Sequence, residues 1–299
     1  MKILLFGKNG QVGWELQRSL APLGDLVALD FDSPGPLAAD FSRPEMLAAT
    51  VRAVAPDVIV NAGAHTAVDK AESEPDLARA INAAAPTVLA REAATCGAWL
   101  MHYSTDYVFD GSGTQAWRED SPTCPLNVYG RTKLEGEESI RASSCKHIIL
   151  RTSWVYGARG GNFAKTMLKL AQERERLTVI DDQFGAPTGA DLLADLTAHL
   201  VRASSVRTDM SGTYHAVASG ETTWHGYATH VVEFARASGV ALKVSTGSIE
   251  PVATSAFPTP ARRPHNSRLA TQRLRGTFGF QLPDWRAGID RMLSEVLGR

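Results

Sequence analysis

Tyr129 and Lys133 stand four residues apart, a spacing that puts both side chains on one face of a helix. A phenol ordinarily loses its proton near pH ~10. A neighbouring ammonium favours the phenolate and lowers that value. The pair is therefore predicted to exchange a proton with a sugar oxygen, with Tyr129 as general acid and Lys133 tuning it. Ser104-Thr105, upstream at the end of a predicted strand, offers hydroxyls that can polarise the same oxygen. A second set of residues suits a dinucleotide. Gly7-x-x-Gly10-x-x-Gly13 follows the first apolar run and opens the first helical pattern, where a pyrophosphate can sit on a helix N-terminus. Asp30 closes the second strand and can bind the adenosine ribose hydroxyls. No arginine follows it at once, so NADH is expected to be accepted alongside NADPH. Asp40-Phe41 can frame the adenine. Small residues in Asn61-Ala62-Gly63-Ala64-His65 let the backbone approach the cofactor.

These residues need a scaffold that brings strand ends together. Ile3–Phe6, Leu26–Leu29, Asp57–Asn61, Trp99–Ser104 and His147–Thr152 have the short apolar character of buried strands. Helical patterns separate them: Val12, Leu16, Leu20 and Leu23; a capping box at Ser42–Glu45 opening a helix through Val54; an Ala-rich helix from about Pro75 to Thr95 that Pro86 can kink; and about Val128 to Arg141. This alternation implies parallel βαβ units. The rhythm loosens after Trp154. Helices are predicted at 162–175 and 191–202, strands at 177–180 and 212–217, and pocket-covering loops over 249–268. The expected fold class is α/β, a Rossmann-type doubly wound parallel sheet with a smaller C-terminal substrate-binding domain. Residues 1–155, joined by parts of 176–219, form the dinucleotide-binding domain. Residues 156–175 and 220–299 are expected to form the smaller, substrate-binding domain.

Composition narrows the function. With 31 Lys+Arg against 32 Asp+Glu the net charge is −1, which argues against a nucleic-acid partner. No stretch approaches the ~18 apolar residues of a membrane span. The N-terminal apolar run is too short for a signal peptide. Three scattered cysteines and no HExxH give neither a disulfide framework nor a zinc motif. A cytoplasmic setting is expected.

The motifs Gly7–Gly13, Ser104–Gly111 and Tyr129-Gly130-Arg131-Thr132-Lys133 resemble the extended short-chain dehydrogenase/reductase superfamily, and within it the dTDP-4-dehydrorhamnose reductase family. Asn61–Glu74, Arg151–Gly157, Asn162–Met167, Asp182–Thr188 and Arg263–Ser267 extend the resemblance over nearly the whole chain. It implies that Thr105, Tyr129 and Lys133 are catalytic. Gly7, Gly10, Gln11, Val12, Gly13, Asp30, Asp40, Phe41, Gly63, Ala64 and His65 would contact NADPH or NADH, together with Tyr129 and Lys133. Thr105, Asp106 and Trp154 would touch a dTDP-sugar. The resemblance also implies a homodimer, bridged in some members by Mg2+ on acids matching Glu15, Asp191 and Glu295, with Asp191 in place of the family's Glu. Among Arg262, Arg263, Arg268, Arg273 and Arg275, one or two could neutralise the diphosphate.

Two other functions share these features. A nucleotide-sugar dehydratase usually places an Asp-Glu pair after the Thr, whereas Asp106 is followed by Tyr107. A 4-epimerase also uses Tyr and Lys but keeps its NAD through the cycle. A non-catalytic NADP-binding regulatory subunit shares the fold, and the intact Thr105, Tyr129 and Lys133 set favours catalysis over it.

Overall fold

The computed structural model describes residues 1–245 and 247–298; Thr246 and Arg299, within the predicted 220–299 segment, lie outside the described residues. The first half alternates as its apolar pattern requires: β1 (Lys2–Phe6), α1 (Gln11–Leu20), β2 (Asp25–Leu29), α2 (Pro44–Val54), β3 (Val58–Asn61), α3 (Val68–Ser73), α4 (Pro75–Arg79), α5 (Ala85–Cys96), β4 (Trp99–Thr105), α6 (Val128–Ala142) and β5 (Lys146–Thr152). There follow β6 (Val155–Tyr156), α7 (Phe163–Glu173), β7 (Leu177–Ile180), β8 (Phe184–Gly185), β9 (Thr188–Gly189), α8 (Ala190–Ser204) and β10 (Gly212–His215). The chain ends with β11 (Thr222–Thr223), α9 (Trp224–Ala237), β12 (Ile249–Val252), α10 (Gln272–Phe278) and α11 (Trp285–Leu297).

Six strands form one parallel sheet in the order β10-β5-β4-β3-β1-β2. Strand side chains alternate between faces, and the apolar runs divide accordingly. Ile3, Leu5, Val58, Val60, Met101 and Leu150 join one core with α1 and α8. Leu4, Phe6, Ile59, Leu100 and Ile149 join the other with α2 and α5. Continuous apolar strands are thus explained by helices on both faces. The chain reverses sheet direction at β1, between β2 and β3, so a crevice opens at the carboxyl ends there.

A separate apolar cluster lies outside the sheet. Tyr156, Met167, Leu168, Tyr227, Val231, Trp285 and Ile289 pack α7, α9 and α11 over the short parallel pair β7–β12.

Three local expectations change. The capping box does not form: Arg43 is the N-cap of α2 without a side-chain bond, and the Ser42 hydroxyl donates to Asp40 at 2.6 Å instead. Asp40 holds two hydrogen bonds from Ser42 and outcompetes the helix end. The Ala-rich α-helix is interrupted ahead of Pro86. One π-helical turn, Ala80–Ala84, precedes it and places Pro86 in the first turn of α5, where its missing N–H is harmless. Part of the predicted loop region 249–268 is the strand β12.

Candidate active site

The glycine turn is dictated by close backbone approach. Gly7 has φ +83, a left-handed conformation that favours glycine. A Cβ on Gly13 would lie 1.8 Å from the Gly7 carbonyl oxygen, so α1 can pack on the turn only without a side chain there. Gly10 caps α1 with no side-chain hydrogen bond, leaving the first helical N–H groups free to meet an anion. A cavity of about 380 Å³ opens over this turn, lined by Gly7, Gly10, Asp30, Asp40, Phe41, Gly63 and Ala64. Asp30 accepts from the Asn9 and Phe31 amides at 2.9 and 2.8 Å, which fixes its carboxylate at the strand end. Phe41 packs edge-on against Phe6 and lies 3.2 Å from where a Cβ on Gly63 would be.

The next cavity, about 460 Å³, shares Gly10, Ala62 and Ala64 with the first. Gln11, Val12, Thr105, Asp106, Tyr129, Lys133 and Trp154 line it. Most of the site residues expected from the sequence thus meet along one trough. His65 and Gly13 do not line it. His65 N–H donates to Asn82 Oδ1 at 2.9 Å and its carbonyl accepts from Asn82 Nδ2 at 3.1 Å, while its ring approaches Glu74 at 3.8 Å. Asn82 sits in the π-helical turn and also bonds Thr132 Oγ1 at 3.2 Å, so one side chain ties the cofactor-side loop to α6.

Helix α6 carries Tyr129 and Lys133. Its N-cap, Asn127, accepts from Gly130 N–H at 2.8 Å and donates to the Arg262 carbonyl at 2.8 Å. A Cβ on Gly136 would lie 2.3 Å from the Asn82 carbonyl oxygen, so glycine lets α6 press onto the π-helical turn. Lys133 Nζ donates to the Tyr103 carbonyl at 2.6 Å and lies 3.3 Å from His102 Nε2. Burial pulls its pKa down to about 8, opposed by the charge of Glu137.

The tuning expected of this pair is not what the geometry yields. Burial pushes the Tyr129 phenol up to about 12; the neighbouring Thr105 hydroxyl opposes the rise and the Asp106 charge adds to it. Desolvation penalises phenolate more than the Thr105 hydroxyl can compensate. Tyr129 is therefore a firmly protonated donor, the state a general acid needs. Thr105 Oγ1 accepts from the Tyr107 amide and donates to Asp106 Oδ1, both at 3.2 Å. Burial raises the Asp106 carboxyl to about 7, against hydrogen bonds from Ser267 and Thr105. Ser104, Asp106 and Thr152 place buried polar atoms at this cavity, and Thr152 Oγ1 has no partner. Such groups can hydrogen-bond a polar molecule that enters the cavity.

A third cavity, about 260 Å³, continues the trough past Tyr107 and Trp224. Trp154 stacks on Trp224 with ring centroids 3.8 Å apart and adopts φ +49, a left-handed backbone that holds its ring at this junction. Trp224 Nε1 donates to Gln183 Oε1 at 3.0 Å, and Phe163, Thr254 and Arg263 complete the walls. Gln183 and Trp224 went unrecognised in the sequence; Thr223 capping α9 through Gly226 N–H was the available signal.

The arginine cluster disperses. Arg263 makes a bidentate pair with Asp69 at 2.6 Å, Arg268 bonds Glu221 and lies over Phe184, and Arg273 lies over Tyr214. Only Arg263 lines the trough. The three acids proposed for Mg2+ do not make a site within one chain. Asp191 bonds Arg291 at 2.8 Å and Glu15 pairs with Arg18 at 3.4 Å, so both charges have cationic partners. No group of three or more His, Cys, Asp or Glu suited to a metal occurs among the described residues.

The family model described as the RmlD substrate binding domain matches residues 1–297. The chain is 58% identical over 296 residues to a dTDP-4-dehydrorhamnose reductase of Escherichia coli K12, covering 99% of this chain and 98% of that protein. It is 46% identical over 303 residues to one from Burkholderia thailandensis, with both chains fully covered. A crystal structure of dTDP-4-dehydrorhamnose reductase from Bacillus anthracis in complex with NADP superposes with TM-score 0.88 at 34% identity, covering 98% of this chain and 99% of that one.

Proposed function

The chain belongs to the RmlD substrate-binding-domain family, that of the dTDP-4-dehydrorhamnose reductases, and on that premise we propose how it works. It reduces the C4 ketone of dTDP-4-dehydro-β-L-rhamnose to dTDP-β-L-rhamnose with NADPH or NADH, the last step in making this cell-surface polysaccharide precursor. The observation that carries this reading is that Thr105, Tyr129 and Lys133 line one cavity, between the glycine-turn cavity and the aromatic outer one. Both the reduced cofactor and nucleotide-sugars are cytoplasmic metabolites, which supports a cytoplasmic enzyme.

The free N–H groups of α1 and the glycine turn suit a pyrophosphate, and Asp30 and Phe41 suit the adenosine end. When bound, the reduced nicotinamide supplies the hydride. Thr105 turns its hydroxyl to the ketone oxygen and polarises it. As charge develops on that oxygen, Tyr129 Oη donates its proton to it. The Lys133 ammonium, held by the Tyr103 carbonyl, places positive charge in the same cavity and favours the anions that form. Trp154 and Trp224 present flat apolar walls to the sugar and exclude water. The outer cluster of α7, α9 and α11, within 156–175 and 220–299, serves as the nucleotide-sugar-binding domain, with Gln183 and Arg263 facing the nucleotide.

The direct test generates the ketosugar in situ from dTDP-glucose with the upstream enzymes, adds this protein, and follows NADPH absorbance. Consumption of NADPH with formation of dTDP-rhamnose is expected; tightly bound NAD with no consumption would identify an epimerase instead. Activity is expected to fall as pH rises through about 8, where Lys133 loses its proton. Asp30→Ala is expected to weaken use of NADH more than of NADPH, because the carboxylate binds ribose hydroxyls and repels a 2′-phosphate. An unchanged ratio of kcat/KM for the two cofactors would remove Asp30 from the ribose.

A further inference from the structure

Behind Lys133 runs a row of buried polar groups that the proton transfer from Tyr129 does not use. Asn61 at the end of β3 and His102 on β4 are cross-strand partners. By strand alternation they share the face of Ile59 and Leu100, toward α5. Asn61 and His102 are each 1% exposed and Lys133 is 2% exposed. Asn61 Oδ1 accepts from Gly63 N–H at 3.1 Å, Asn61 Nδ2 lies 3.0 Å from His102 Nδ1, and His102 Nε2 lies 3.3 Å from Lys133 Nζ.

The donors and acceptors in this row can be assigned from one end. A backbone N–H only donates, so Gly63 fixes Oδ1 as the end of the Asn61 amide that faces it. The amide nitrogen therefore donates toward His102, and Nδ1 must be the lone-pair nitrogen. Burial, and then the Lys133 charge, hold the imidazole well below the usual histidine range, so it is neutral and its single proton is on Nε2. That N–H faces Lys133 Nζ. A neutral amine offers a lone pair to receive it, whereas an ammonium has only donors. Reversing the amide would leave the Gly63 N–H facing another donor, at the cost of an unmet hydrogen bond.

Other charged groups near Lys133 are accounted for. On its own helix, Glu137 is paired with Arg151 of β5 and with Arg141, and Tyr129 is a neutral phenol. Asp106, after β4, shares the cavity. In the loop after β3, the His65 ring is directed to Glu74.

We propose that Asn61 and His102 are positioning residues acting through Lys133: they lock His102 as the Nε2–H tautomer, disfavour the ammonium, and tie its proton to the cofactor-side loop at Gly63. Lys133 can then lose and regain a proton within the working pH range instead of near the value of a free lysine.

The test is NMR of the full chain with 15N-labelled histidine and 13Cε-labelled lysine, with kcat measured against pH in parallel. At neutral pH, His102 is expected to show a bare Nδ1 and a protonated Nε2. A protonated Nδ1 would overturn the proposal. Asn61→Asp keeps the shape but presents a carboxylate oxygen, which can only accept, to His102. The proton should move to Nδ1, and the bare Nε2 should accept from the ammonium. The Lys133 titration midpoint is expected to rise by about one unit or more, and the alkaline limb of kcat with it. A folded Asn61→Asp protein with an unchanged tautomer or midpoint would overturn the lock; if that variant does not fold, the unaltered protein's spectrum decides. Only the kinetic arm rests on the reductase reading: a midpoint that moves without the limb sinks the role of Lys133 in turnover and leaves the tautomer lock standing.

Discussion

Tyr129→Phe is expected to lower kcat by about 10²–10⁴-fold, the usual loss when a positioned general acid is removed. Hydride addition at C4 leaves an alkoxide, and only a protonated neighbour can discharge it. Tyr129 is buried at the trough with its pKa pushed up to about 12, so it holds its proton until that anion forms. The substitution deletes one oxygen and keeps the ring, which stacks edge-on with Tyr107 at 5.5 Å. Packing should survive, and NADPH affinity should stay within about twofold. Lys133→Met should reduce both turnover and cofactor affinity, because the same ammonium faces the cofactor trough. Steady-state reduction of the ketosugar and fluorescence titration of NADPH separate the two effects. Near-normal turnover in Tyr129→Phe would transfer the acid role elsewhere, and Asp106, raised to about 7, is the next candidate.

Glu137→Ala should be the most damaging change to stability. Glu137 is fully buried and Arg151 is 2% exposed; they pair at 2.9 and 2.7 Å, with Arg141 adding a third bond at 2.9 Å. Arg151 also lies over the Phe109 ring at 5.0 Å, so its guanidinium is held in place after the carboxylate is gone. Stranding a buried charge typically costs about 3–5 kcal/mol, or a fall in Tm of roughly 5–8 °C for a chain of this size. A double variant, Glu137→Leu with Arg151→Met, removes both charges and should lose less. Arg151 holds the Glu137 carboxyl below its ordinary value despite burial. A lowered carboxyl pKa stabilises the fold above the unfolded value and ceases to do so as pH falls through the folded one. The gap in Tm between the unaltered protein and Glu137→Ala should therefore narrow in acid. A single variant that melts within about two degrees of the unaltered protein at neutral pH would show that Arg151 finds water or another partner.

The amino-acid sequence by itself determined what depends on neighbours a few residues away. Apolar runs such as Ile3–Phe6 and Val58–Val60 specified parallel strands, because both faces of such strands must be covered. The spacing of Tyr129 and Lys133 put them on one helical face, and Gly7, Gly10 and Gly13 marked the turn before α1. Resemblance along the chain then pointed to the family. Helices α9, α10 and α11 escaped, as did the π-helical turn that brings Asn82 to both His65 and Thr132. One or two of the clustered arginines were expected at a diphosphate, but which of them reaches the trough was set by partners remote in the chain: Arg263 lines it while paired with Asp69, and Arg268 is turned to Glu221. The phenol of Tyr129 was expected to fall in pKa and instead rises, because desolvation depends on how much protein surrounds it, which no spacing encodes. The same reason separates the whole set. Periodicity and turn chemistry act over one or two turns of backbone, whereas burial, ion-pair choice and tautomer are decided only when distant segments close around a group and remove its water.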